Sequence, residues 1–303
     1  VPERLTVDGT FWGDALFWQG SEKGWTKSGF GFYNRLATLG ATGTVVKNVD
    51  LRLDFDLNQI LLRDLFVEWQ GQNGLKVRAG QFLMPLSFEC EAPETKMKVD
   101  DYSLLYSTLH KINNPRDIGL LVSYENPCSS ARVFRAMGMV VNGTGPNTGD
   151  NNSWKDVCGR LVFKPGRELD LWLGGRLYYG WVFSEGVRLL SFAGEMLFYN
   201  KPFSLQVEGI YRRFRNFSVP AGYAEVSADA GFFEPAVRFE AIRWEQGNWQ
   251  WRASAGLGLR PFAGVVTMPT PAQRLQFFIG YQYHVMVGFW VYQGITARLK
   301  ASL

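Results

Sequence analysis

An all-β chain closed into a transmembrane antiparallel β-barrel is the fold class the sequence predicts, and three observations predict it. Apolar and polar residues alternate with a period of two along most of the chain, the repeat of a strand with one greasy face. The face opposite the apolar residues carries too many charges for a dry core. No window approaches eighteen consecutive apolar residues, which removes a membrane-crossing helix and leaves crossing strands untouched.

The alternation is clearest in WQWRASAGLGLRPF at 249–262. Trp249, Trp251, Ala253, Ala255, Leu257 and Leu259 share one face, and Gln250, Arg252, Ser254, Gly256, Gly258 and Arg260 share the other. Near the start, Leu5, Val7, Phe11, Ala15 and Phe17 oppose Arg4, Thr6, Asp8, Thr10 and Asp14. In DLRLDFDL, Leu51, Leu53, Phe55 and Leu57 oppose Asp50, Arg52, Asp54 and Asp56. The Asn-Gly pair in GQNG at 71–74 marks a tight turn, after which Leu75, Val77 and Ala79 face away from Lys76 and Arg78.

Further strands are expected at 116–125, 131–142, 154–164, 169–182, 188–199, 203–214, 230–243, 272–283 and 287–301, with 28–46 holding one strand or two. Short turns are expected at 164–168, 199–202 and 245–248, and longer links at 84–115, 142–153, 215–229 and 261–271. Short connections alternating with long ones suit a barrel with tight turns at one rim and loops at the other. The count reaches fourteen to sixteen strands, within a range of fourteen to eighteen for the class. The one weak helical piece lies within 99–111, and no linker divides residues 1–303.

A soluble sandwich would survive the alternation test but has little use for so much apolar edge, such as LYYGWVF at 177–183 and EMLFYN at 195–200. In lipid, a closed barrel pairs every backbone group and places aromatic residues at the two interfaces. Asp54, Asp56, Glu68, Lys76, Arg78, Arg160, Arg176, Glu195, Glu208, Arg212, Arg238, Glu240, Arg252, Arg260, Arg274, Arg298 and Lys300 then face a wet lumen. Gly174, Gly256, Gly258 and Gly280 share that phase, where missing side chains would widen the bore.

The formal charge of +4 comes from dispersed residues, with no basic run of the kind that tracks nucleic acid. Cys90, Cys128 and Cys158 match no zinc spacing, and a packed side chain is the ordinary reading of Cys158 in a strand. His110 and His284 have no hydrolase arrangement around them, and DDYS at 100–103 lacks the spacing of a calcium loop. No enzyme, cofactor or metal site is expected.

At 61–89 the segment LLRDLFVEWQGQNGLKVRAGQFLMPLSFE resembles the phosphate-selective porins O and P of the outer membrane, with an Arg-Asp strand start, a short turn, and a strand leading into a constriction loop. NNPRDIGLLVSYE at 113–125 resembles the next strand of that family. The resemblance implies a barrel of sixteen strands, often a trimer, that passes anions through a lumen narrowed by the third extracellular loop. Mapped onto this chain, that loop is 84–115. It supplies Lys96, Lys98 and Lys111, with Arg116 past its far end, but also Glu89, Glu91, Glu94, Asp100 and Asp101. Arg63 and Asp64 are expected to anchor the turn-side end of the barrel. The chain ends ARLKASL, where barrels of this kind generally end in an aromatic residue, and it is short for the family.

The expected function is passive diffusion of small hydrophilic solutes, chiefly anions such as phosphate, across a diderm outer membrane after removal of a signal peptide. The expected path residues are Lys76, Arg78, Lys96, Lys98, Lys111, Arg116, Arg160, Arg176, Arg212, Arg252 and Arg274. Positive side chains along a pore lower the barrier to entering anions, whereas the plainer reading is that such charges hydrate the wall and pair across strands. Expected partners are outer-membrane lipid, small anions, a homotrimer and other outer-membrane proteins, with no nucleic acid. The alternatives are a structural or anchoring barrel with a plugged or partner-filled lumen, and a soluble all-β binding protein.

Overall fold

The computed structural model describes residues 4–22, 25–91, 98–99, 102–106, 115–126, 133–166, 169–182, 187–215, 217–244, 247–259, 274–286 and 290–302. The strands are β1 (Arg4–Glu22), β2 (Trp25–Val46), β3 (Val49–Asp56), β4 (Leu61–Gln70), β5 (Leu75–Leu83), β6 (Arg116–Glu125), β7 (Val133–Val141) and β8 (Asp156–Lys164), then β9 (Asp170–Val182), β10 (Val187–Asn200), β11 (Phe203–Phe214), β12 (Phe217–Ala228), β13 (Phe233–Arg243), β14 (Trp249–Leu259), β15 (Arg274–Met286) and β16 (Trp290–Ser302). Each pairs antiparallel with its sequence neighbours, and β1 pairs with β16 from Thr10↔Ser302 to Glu22↔Trp290, closing a sixteen-stranded barrel.

The burial pattern decides which way the greasy face points. Along β13, Phe233, Val237 and Phe239 are exposed, while Glu234, Arg238 and Glu240 are buried. β14 repeats this, with Trp249 and Trp251 outside and Gln250, Arg252 and Ser254 inside. A soluble sandwich would show the inverse. Charges inside and aromatics outside are what lipid around a barrel demands.

Several elements follow the sequence pattern closely. Residues 28–46 belong to one strand, β2. The Asn-Gly turn forms with Asn73 at φ 64° and Gly74 at φ 86°. Glycine is required at 74 twice over, because a Cβ there would lie 1.8 Å from the Glu125 carbonyl oxygen.

The link expected at 215–229 is instead β12. Its lipid-facing residues, Ser218, Pro220, Gly222 and Ala224, are too small or too constrained to show the alternation. Pro220 is tolerated because it pairs with Tyr211 of β11, while the β13 ladder begins only at Ala221. Missing one strand reverses the rim assigned to every later connection. Residues 260–273 therefore join strands at the same rim as the tight turns 47–48 and 201–202, and 245–248 belongs to the opposite rim with 84–115. Long and short connections do not segregate as expected. Within the expected helical piece at 99–111, Tyr106 is helical and residues 107–111 lie outside the described residues; a separate helical turn is α1 (Phe88–Glu91).

Inside the barrel, Met84, Leu86, Cys90 and Leu105 of the β5–β6 segment join Phe82, Met137, Met139, Val162, Tyr178 and Ile242 of the wall in one buried apolar cluster. Each such aliphatic side chain contributes about 1.5–3 kcal/mol of burial. The segment is thus held by a core of its own.

Candidate functional site

The site is the seam between the β5–β6 segment and the inner wall of β8 to β14. Three wall carboxylates accept backbone N–H bonds from the segment: Phe88 N to Glu195 Oε2 at 2.7 Å, Glu89 N to Glu208 Oε1 at 3.1 Å, and Leu104 N to Glu240 Oε2 at 2.5 Å. Two wall guanidiniums donate to its carbonyls, Arg160 Nη1 to Pro85 O at 3.2 Å and Arg252 to Tyr102 O. The wall holds the segment by its main chain, and bonds to charged groups are the stronger kind.

The charges of the seam compensate one another. Glu240, fully buried, accepts from Arg238 Nε at 2.8 Å and Arg252 Nε at 2.9 Å. Arg160 contacts Glu195 at 2.5 Å and Glu91 at 3.0 Å, and its guanidinium lies 5.2 Å from the Phe88 ring. The loop acid Glu91 thus serves as counterion to Arg160 and Arg135, while Glu89 lies 3.6 Å from Arg238.

Glu89 lies among Arg238 at 3.6 Å, Glu208, and Ser103, whose N–H and hydroxyl both donate to it. Burial, reinforced by the charge of Glu208, pushes its carboxyl from the ordinary value near 4.5 up to about 8. The docked segment therefore holds a proton that a freed segment releases. Its contribution to docking is full below about pH 4.5 and is lost as pH rises through about 8. Channel openings recorded across that window should lengthen with rising pH, and Glu89→Gln should flatten the response.

The structure separates the expected path residues. Lys98 of the segment reaches Ser204 Oγ at 2.8 Å and Ser227 Oγ at 2.7 Å, with Glu234 at 4.0 Å. Arg160, Arg176, Arg212 and Arg252 line the wall at or beside the seam. Lys76 and Arg78 stand on β5, away from it; Arg78 contacts Glu68 at 2.6 Å, and Lys76 keeps 49% of its side chain exposed. Arg116 instead pairs with Asp64 at 3.1 Å where the segment leaves the barrel, and Asp64 also accepts from Leu83 N at 3.1 Å. That places the Asp64 anchor at the rim of the long segment rather than at the tight-turn rim. Lys96 and Lys111, and the side chain of Arg274, lie outside the described residues.

Of the inward glycines, Gly174 and Gly256 do not widen the bore. A Cβ on Gly256 would meet the Phe278 ring at 2.4 Å and the Lys98 carbonyl at 2.9 Å, and one on Gly174 would meet Glu195 at 2.3 Å. Missing side chains here admit neighbours. Ser204, Ser227 and Tyr223 complete the seam, and nothing in their strand phase beyond an inward direction distinguished them in the sequence.

On the opposite wall, from β1 to β5, the inward charges divide: Asp14, Asp54, Asp64 and Glu68 are buried, whereas Asp8, Arg52, Lys76 and Arg78 stay at least partly exposed. Arg52 Nη2 bonds Asp8 Oδ1 at 2.9 Å and lies 3.4 Å from Asp54, and its Nη1 bonds Thr42 Oγ1 at 3.0 Å. Solvent reaches Arg52, Asp8, Lys76 and Arg78 along this side.

A family model for phosphate-selective porin O and P matches residues 5–173, more than half of the chain. The chain belongs to the phosphate-selective porin O and P family. It is an outer-membrane porin and not an enzyme. No curated protein sequence matches the porin. Among solved structures it is similar to the anion-selective porin of Comamonas acidovorans, at 13% identity and TM-score 0.68 over 99% of each chain. OprB of Pseudomonas putida also has TM-score 0.68, at 9% identity, over 99% of the porin and 94% of OprB. In vitro folded OmpT of Vibrio cholerae, in its trimer form, has TM-score 0.56 at 14% identity over 98% and 100% of the two chains. At these identities the likenesses show the fold.

Proposed function

We propose that this porin passes small hydrophilic solutes passively, with preference for small anions such as phosphate, through a lumen constricted by the β5–β6 segment. The observation that carries the anion preference is Arg176. Its residue is 4% exposed, and no carboxylate lies within ion-pair distance of it among the described residues. Among the described residues its Nε and Nη1 have no hydrogen-bond partner, and its Nη2 reaches Ser191 Oγ at 3.4 Å. A buried, uncompensated guanidinium is costly unless something anionic visits it.

The neighbours strengthen the reading. Arg160 is the direct cross-strand partner of Arg176, and its Nη2 also lacks a hydrogen-bond partner. Arg212 pairs across β10 and β11 with Ser191, the residue that Arg176 touches. Three guanidiniums thus share one stretch of inner wall beneath α1. On β5 the exposed Lys76 stands beside the partly buried Arg78, which is paired with Glu68, and supplies a positive approach on the open side of the lumen. A homotrimer belongs to the same reading, supported by the family resemblance and by the trimer form of the similar OmpT.

Conductance and reversal potential of the purified porin in a planar bilayer, first in chloride and then in phosphate, test the proposal. Stable open steps with anion preference are expected, and Arg176→Gln should lower that preference several-fold while Lys155→Gln, on an exposed loop, leaves it unchanged. Cation preference in the wild type would overturn the anion assignment.

A further inference from the structure

Among the described residues the closed barrel has a long open edge on β2. β2 pairs with β1 from Trp25 to Thr44, but its ladder with β3 begins only at Thr38. Just above that point the turn after β3 caps the edge, with Leu57 N donating to Ala37 O at 2.7 Å and Asn58 Nδ2 to Asn34 O at 3.2 Å. From Thr26 to Tyr33 the side of β2 facing away from β1 meets no strand among the described residues. Alternate N–H and C=O groups along these eight residues therefore point outward with no partner among the described residues.

This edge runs at the level of the lipid-facing surface. Phe30 is in register with Phe17 of β1, which is in register with Ile295 of β16 and then Tyr281 of β15, all exposed apolar residues. Phe30 and Phe32 are 65% and 79% exposed, and their rings meet edge to face at 5.2 Å. Lipid cannot satisfy a row of backbone donors and acceptors, and open sheet edges do not persist in it.

We propose that Thr26–Tyr33 of β2 is the docking edge for an extended segment of a different outer-membrane polypeptide, which adds as a strand. Only a polypeptide presents alternating N–H and C=O groups at the spacing of a strand edge. A second copy does not fit. Barrel strands tilt by about 35–45° from the membrane normal, and a two-fold axis along that normal reverses the tilt within the wall. Two copies of β2 would then cross at roughly 70–90° instead of pairing. The other open edge of similar kind, β1 from Arg4 to Gly9, lies at the opposite rim, and rotation about the normal leaves it there.

The edge also states what the added strand looks like. Its lipid-facing residues are apolar, to pack on Phe30 and Phe32. Its lumen-facing residues meet aromatic rings, because the Trp18 indole folds over Gly29 and the Tyr33 hydroxyl over Gly31, where added Cβ atoms would lie 2.7 Å and 3.0 Å away. A carboxylate opposite the exposed Lys27 completes the match. Beside Phe32 an apolar groove of about 660 Å³, floored by Gly13, Ala15 and Ala297 and walled by Ile279 and Leu299, seats a side chain carried past the end of the strand.

Amide hydrogen exchange on the wild-type porin in its own outer-membrane vesicles, compared with the purified protein in detergent, tests this without a variant. The outward-pointing amides of 26–33 should exchange at least roughly a hundredfold more slowly in the vesicles. A benzophenone residue at Ser28, set against the same residue at the distant lipid-facing Phe192, should cross-link in those vesicles to a segment of alternating apolar pattern from another protein. Equal protection in detergent would mean that the chain covers its own edge, and rapid exchange in both would mean that nothing does. Cross-links to this same sequence would assign the edge to a second copy. Each of these three results overturns the proposal.

Discussion

Replacing Glu240 with alanine destabilises the barrel by about 3–5 kcal/mol, the usual cost of stranding a buried charge, and raises its conductance. The side chain is fully buried and serves four donors at once: Arg238 Nε, Arg252 Nε and Nη2, and the Leu104 backbone N–H. Without it, two guanidiniums keep their desolvation and lose their shared counterion. Arg238 retains Glu89 at 3.6 Å and Glu225 at 3.5 Å, whereas Arg252 retains only the Tyr102 carbonyl among these contacts. The Leu104 N–H also loses its acceptor, so the segment is released on the side where the wall should hold it. Denaturant unfolding in liposomes reads the first effect, and single-channel recording reads the second as larger, noisier steps. Glu240→Gln keeps an acceptor for Leu104 and should fall between wild type and alanine in both. Unchanged conductance in a folded Glu240→Ala protein would show that the segment does not limit flow.

Asp14→Ala is expected to cost a similar amount, about 3–5 kcal/mol, but through barrel closure and with little effect on selectivity. Asp14 on β1 and Arg298 on β16 are direct cross-strand partners, both buried, joined by Nε–Oδ1 at 2.6 Å and Nη2–Oδ2 at 2.7 Å. The Arg298 guanidinium also lies 4.9 Å from the Trp12 ring, and Arg35 approaches Asp14 at 3.6 Å. This fork–fork pair fixes the register between the first and last strands, whose meeting carries the largest loop-closure entropy in the chain. Alanine at 14 should lower the temperature at which the heat-modifiable barrel unfolds on gels and slow refolding into detergent. The double replacement Asp14→Leu with Arg298→Leu should recover part of the stability, because it removes the stranded charge.

The two replacements separate stability from gating. Both strand a buried guanidinium, yet only Glu240 touches the β5–β6 segment. A conductance change common to both would point to general loosening of the barrel.

The alternation of residues by itself determined the fold class and the side of the wall on which each residue stands. Phe233, Val237 and Phe239 against Glu234, Arg238 and Glu240 could be sorted without a partner strand, because a pleat of period two is a local property. The motif at 61–89 located the segment entering after β5 for the same reason, as a contiguous run of residues. Where local contrast was weak, as in the small residues of β12, the reading failed, and one missed strand reversed the rims of all later connections.

Only the tertiary structure decided what the inward charges do. Arg252 and Tyr102, or Lys98 and Ser227, lie more than a hundred positions apart, and their contacts depend on how the barrel staggers and how the segment lies across it. Arg160, Arg176 and Arg252 are equivalent in the sequence as inward arginines. In space Arg160 and Arg252 are neutralised by Glu195, Glu91 and Glu240, and Arg176 is left beside a hydroxyl. The open edge of β2 was equally out of reach, since it arises from β3 stopping at Asp56 while β1 and β16 continue. A strand's faces follow from its own residues, but its neighbours, counterions and free edges follow from where other strands end.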